Sequence, residues 1–234
     1  MSTFRSARVL FSSLALTAVS VVAGAGAGAT TKPTAASVLA AVKTAMFHES
    51  GVHISVTSTS ATAHSVATVD IGTKGGTETY VAGTSRVRIV VTPASAYLSG
   101  NKTGLTTLVG LTAKQQKLVG TKAISMKAGT SPYSSFKANL TTSAFVTFLP
   151  PTKSVTLSRD RANYFVLTWS TTATSTAPAV KSTLTISTGK KALPIKEVAS
   201  TKSGGGVTVF SKWGEGVNTP IPSSTIPYAT VSKA

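Results

Sequence analysis

The chain has 234 residues, with 23 Lys and Arg against 6 Asp and Glu, a formal net charge of +17 and no cysteine. The lack of cysteine excludes disulfides and thiolate metal sites, and six acids leave little material for paired-carboxylate catalysis. The basic surplus attracts polyanions and anionic membrane surfaces without choosing between them. The lysines are scattered, and no block reaches five or six like charges, so a solvated surface explains them equally well.

Residues 1–29 read as a targeting segment. Arg5 and Arg8 form a basic start, and Val9 to Ala23 is apolar but short of the roughly 20 residues of a membrane span. Ala25-Gly26-Ala27 and Ala27-Gly28-Ala29 are both acceptable cleavage sites, so the expectation is a secretory signal peptide; an uncleaved anchor helix is the other reading. Residues 30–234 would then form a single domain, long enough to bury roughly 70% of its unfolded surface.

Thr34 caps a predicted helix from Ala35, with Val38, Leu39, Val42, Ala45 and Met46 on one face, ending near Ser50-Gly51. The period then becomes two. Val52, Ile54 and Val56 alternate with His53, Ser55 and Thr57, and Ser58 to Thr62 reads as a turn. Strands are predicted at Ser65–Ile71, Thr77–Val81, Ser85–Val91 and Ser95–Ser99, with tight loops between them. This makes an antiparallel meander, with Arg86 and Arg88 on the solvent face.

Helical signals return in the middle. Leu105, Leu108, Val109 and Leu111 suit a short helix, loosened by Gly104 and Gly110. Thr112 and Gln115 form a capping box for the next helix, which ends at Gly120. Ala123–Met126 is a short strand, Ser131-Pro132 starts a helix, and Ser143 caps another over Ala144–Leu149.

The last third is β again, with strands at Ser154–Ser158, Tyr164–Ser170, Ser182–Ser187, Leu193–Ser200 and Val207–Trp213. Pro194 demands a strand edge or bulge. Gly204-Gly205-Gly206 reads as the loop of a closing hairpin, Trp213-Gly214 as a strand end whose indole covers the sheet, and the rest as a proline-rich tail. The sum is α+β: one large curved antiparallel sheet, about ten strands and therefore prone to curl, with the middle helices over its concave side.

Chemical motifs are weak. Glu49, Asp70, Glu78, Asp160, Glu197 and Glu215 form no local pair. Ser134-Ser135-Phe136-Lys137 has the Ser-x-x-Lys spacing and Lys102-Thr103-Gly104 a Lys-Thr-Gly match, but their order is reversed and Ser-Asp-Asn is absent. His48, His53 and His64 lack partners to complete a zinc site. The few aromatics fall on core-like phases, against nucleic-acid binding. No enzyme activity, cofactor or metal is expected.

The closing stretch carries a resemblance. Leu193-Pro194-Ile195-Lys196-Glu197-Val198, then Val207-Thr208-Val209-Phe210-Ser211-Lys212-Trp213-Gly214 and Thr219-Pro220-Ile221-Pro222, resemble the closing hairpin of the LppX/LprG family of actinobacterial envelope lipoproteins, similar in fold to the LolA/LolB carriers. The same order of elements runs from about Pro33 to Pro222. The resemblance implies an unclosed half-barrel, a helical lid and an apolar cavity for lipid or glycolipid acyl chains. Strand and helix phase would line that cavity with Ile54, Val56, Val69, Tyr80, Val87, Ile89, Leu105, Leu108, Leu111, Phe136, Phe145, Phe148, Phe165 and Leu167. The family is acylated on a cysteine just after the signal peptide. Here Thr30-Thr31-Lys32 stand in that place, so an exported, monomeric carrier without that anchor is expected. The alternative is a secreted basic structural or adhesive domain on anionic wall polymers or a membrane surface.

Overall fold

The computed structural model describes residues 32–145, 149–150, 155–160, 164–174 and 178–234. Residues 1–29, read above as a signal peptide, and the predicted lining residue Phe148 lie outside the described residues. The strands are β1 (Gly51–Ser60), β2 (His64–Gly72), β3 (Gly76–Ala82), β4 (Ser85–Val91), β5 (Ser95–Gly100), β6 (Ala123–Lys127), β7 (Thr156–Asp160), β8 (Tyr164–Thr171), β9 (Val180–Ser187), β10 (Pro194–Thr201), β11 (Gly204–Ser211) and β12 (Thr225–Pro227). The helices are α1 (Ala35–Phe47), α2 (Lys102–Thr107), α3 (Ala113–Val119), α4 (Ser131–Lys137), α5 (Thr142–Phe145) and α6 (Tyr228–Val231).

All twelve strands form one sheet in the order β12-β6-β5-β4-β3-β2-β1-β11-β10-β9-β8-β7. The two ends, β12 and β7, do not meet, so the half-barrel stays open. Every neighbouring pair is antiparallel except β12 on β6, which is parallel. The closing hairpin β10–β11 pairs with β1 and so joins the two meanders at mid-sheet.

Several expectations need correction. The glycines Gly204–Gly206 lie inside β11, paired with Ser58–Ser60, because a strand without side chains fits closely against its neighbour. The first strand runs on to Ser60 rather than turning at Ser58. Helix α5 begins at Thr142, one residue before the predicted cap Ser143. The tail is not only proline-rich loop: β12 and α6 seal the β6 edge, with Ile226 and Val231 buried. Pro194 does sit at a register shift between β10 and β9, since it has no N–H for the ladder.

Thr34 caps α1 and Thr112 with Gln115 forms a capping box on α3, both as expected; at Thr34 the Ser37 side chain also reaches back, completing a second box. Helix α2 is fixed by Asn101. Its Oδ1 accepts from the N–H groups of Gly104 (2.8 Å) and Arg86 (3.1 Å), and its Nδ2 donates to the carbonyl of Thr84 (2.6 Å). Gly104 faces the β4 backbone, and a Cβ there would lie 2.3 Å from the Arg86 carbonyl oxygen. Gly104→Ala should therefore push α2 off β4 and destabilise the fold by about 1–3 kcal/mol, read as a lower midpoint in chemical denaturation. An unchanged midpoint would show that α2 does not sit that closely on the sheet.

Candidate functional site

The register assigns the two faces strand by strand. On one face lie Val52, Ile54 and Val56 of β1, Ala67, Val69 and Ile71 of β2, and Val87, Ile89 and Val91 of β4. Leu98, Ile124, Leu167, Leu184, Ile186 and Phe210 continue this face across the other strands. These residues form a single apolar cluster with Val38, Leu39, Val42 and Met46 of α1 and with Leu105, Leu111, Val119, Tyr133, Leu140 and Leu149 from the helical middle. The helices therefore cover this inner face. The outer face carries Arg86 and Arg88, both exposed, as strand alternation expects.

The predicted lining residues come together here. Ile54, Val69, Val87, Ile89, Leu105, Leu111, Phe145 and Leu167 are buried in the cluster, while Val56, Tyr80, Leu108, Phe136 and Phe165 are only partly buried against it. Phe145 packs on Phe210 at 5.9 Å between ring centroids and on Trp213 at 6.4 Å, and the Trp213 Nε1 donates to the Pro194 carbonyl at 2.9 Å. The indole thus covers the end of the closing hairpin, holding α5 on the sheet.

Burial along the inner face is graded. Gly72 and Gly76 at one end lie against the 140–141 backbone, where a Cβ on Gly76 would come 2.9 Å from the Leu140 carbonyl oxygen. One step along, Ile54 and Val69 are fully enclosed. Beyond them Val56 and Tyr80 are half-buried, then Ser58, Ser65 and Ala82, and finally Ser60 is exposed. On β1 to β3 the face thus runs from a closed apolar end to a polar open end, whereas Trp169 and Ser182, in the row of Ser58, and Ser85, opposite Ala82, stay buried.

Two acids share this face, which phase already implied for Glu78 beside Tyr80 but which went unrecognised. Glu78 stands between Val69 and Ile89 at 6% exposure, and Glu197 between Leu184 and Thr208 at 5%. Burial pushes both carboxyls up to about 7; for Glu197 a hydrogen bond from Ser182 works the other way. The Glu78 Oε1 has no hydrogen-bond partner among the described residues. The inward rows of β1–β6 and β8–β11 contain no lysine or arginine, although the chain has 23 of them. Four strand spacings separate β3 from β10, roughly 19 Å along the sheet.

The other motifs are not assembled into chemistry. Ser134 Oγ donates to the Thr130 carbonyl, and Lys137 Nζ lies 5.8 Å over the Tyr133 ring. Lys102-Thr103-Gly104 forms the first turn of α2. His53 and His64 are on adjacent strands, yet His53 Nδ1 meets Asp70 Oδ1 at 2.7 Å while His64 Nδ1 meets Thr59 Oγ1 at 3.3 Å. Among the described residues no group of three or more His, Asp or Glu is placed to hold a metal, and no helix is long and apolar enough to cross a membrane.

No family model and no curated protein matches the sequence. Among solved structures the chain is similar to LprF from Mycobacterium bovis, with a TM-score of 0.47 and 14% identity over 80% of this chain and 96% of that one. It is also similar to the lipoprotein LppX from Mycobacterium tuberculosis, with a TM-score of 0.43 and 15% identity over 79% of this chain and 99% of that one.

Proposed function

We propose that this chain is an exported, non-enzymatic carrier, monomeric and without a cysteine anchor, that holds acyl chains of a lipid or glycolipid between the inner face of its sheet and the helices above. One observation carries the reading. The covered side of the sheet leaves Val56 and Tyr80 only partly buried between its closed and open ends, and Leu108, Phe136 and Phe165 are partly buried against the same cluster. A face meant only as core would bury them fully. Acyl chains laid on this face would complete that burial at about 0.8 kcal/mol per methylene. The covering helices α2 to α5 are 4 to 7 residues long, and short elements with few contacts open most readily.

Protein purified from its native host, weighed intact under native conditions and then extracted with organic solvent, should show a mass excess that disappears on extraction, with a lipid in the extract. A clean apo mass together with no uptake of fluorescent acyl probes would refute the carrier.

The outward basic charge favours a second reading, a domain that sits on anionic wall polymers or membranes. The two separate by salt. Adhesion to anionic vesicles should weaken steeply between low and high salt, while acyl-chain uptake should barely change.

A further inference from the structure

Glu78 is out of place for a chain of this composition. A buried carboxylate is ordinarily paired or hydrogen-bonded. This chain has ample lysine and arginine to supply a partner, yet the inward rows of β1–β6 and β8–β11 carry none, and the Glu78 Oε1 meets no donor among the described residues. Glu197, the other acid on this face, is satisfied by Ser182. Glu78 is flanked by Val69 and Ile89 across the sheet and by Gly76 and Tyr80 along its strand. It therefore lies on the path that acyl chains would follow, one step inside the half-buried Tyr80 and before the closed end at Gly76.

Resting on the carrier reading above, we propose that Glu78 is a polar anchor inside the apolar face, where its free carboxyl oxygen binds a hydroxyl borne on the acyl portion of the ligand, so that the protein selects hydroxylated acyl chains over plain ones. The depth of Glu78 points to the chain rather than the headgroup. The headgroup belongs at the polar end marked by Ser58, Ser65 and Ser60. Burial favours the neutral carboxyl, which accepts a hydroxyl proton on its carbonyl oxygen and can donate its own. A neutral hydroxyl therefore suits it better than a cationic ligand group. Leaving a buried acceptor unpaired is costly, so a site built around a hydroxyl discriminates strongly against ligands lacking it.

The test compares methyl 12-hydroxystearate with methyl stearate by displacement of a fluorescent acyl probe, in the wild type and in Glu78→Leu. The expected result is about tenfold tighter binding of the hydroxylated ester by the wild type, and no preference in Glu78→Leu. Equal binding of the two esters by the wild type would overturn this inference and leave the carrier standing. A preference that persists in Glu78→Leu would overturn it as well. Binding of neither ester would refute the carrier itself. Should Glu78→Leu fold poorly, the infrared carbonyl band of the protonated carboxyl in the wild type decides. It should move on adding the hydroxylated ester and stay on adding the plain one; movement with neither, or with both alike, overturns the proposal.

Discussion

Acidification from about pH 8 to pH 5 should make this protein more stable, by roughly 2 to 3 kcal/mol for each of two buried carboxyls. Glu78 and Glu197 each rise from 4.5 to about 7 because burial disfavours the charged form. The folded state therefore binds these protons more tightly than the unfolded state. Their contribution is fully present below pH 4.5 and is lost as pH climbs through about 7. The usual acid loss of stability arises from carboxylates that are paired in the fold, and it acts in the opposite direction at lower pH. Stability should therefore peak on the acid side of neutral. Urea denaturation across this range checks the sign. Glu78→Gln and Glu197→Gln should each be more stable than the wild type near pH 8 and close to it near pH 5. A wild-type profile that falls steadily from pH 8 to 5 would show that neither carboxyl is buried as described.

The second large effect belongs to Phe210. Truncation to alanine should cost about 3–5 kcal/mol. Phe210 is 4% exposed and sits on the inner face opposite Ile54, at the strand where the two halves of the sheet join. Its ring lies 5.9 Å from Phe145 and 6.3 Å from Trp213, so the truncation removes the support of α5 as well as its own buried area. The neighbouring Val209 faces outward at 41% exposure, and Val209→Ala should change stability by no more than about 0.5 kcal/mol. The contrast tests the register itself. Shifting β11 by one residue against β1 would exchange the two faces and reverse the ranking of the two variants.

Much of this was legible from local pattern. Period-two alternation with β-branched residues marked β1 to β5 and β8 to β11, because side chains on a pleated strand point to opposite faces in turn. That same phase put Ile54, Val69, Ile89 and Leu167 inward, where the structure has them. The cap at Thr34 and the capping box at Thr112 were readable because the bonding groups lie three residues apart in the chain. The glycines of β11 misled, since Gly-rich runs more often turn than pair. Their place in the strand follows from the close approach of β1, which only the pairing reveals. The short β12 was hidden as well: three residues give too little period to detect, and its partner β6 is about a hundred residues away.

By itself the sequence determined the fold class, the inward phase of most strands, the absence of cysteine chemistry and the excess of positive charge. Each of these depends on residues near in the chain or on composition alone. The tertiary structure decided which strands neighbour one another, that the sheet stays open, and that Glu78 is enclosed beside Val69 and Ile89 with its Oε1 unpartnered among the described residues while Glu197 has Ser182. Whether a buried carboxyl is satisfied depends on atoms brought close by distant segments. No local spacing encodes that.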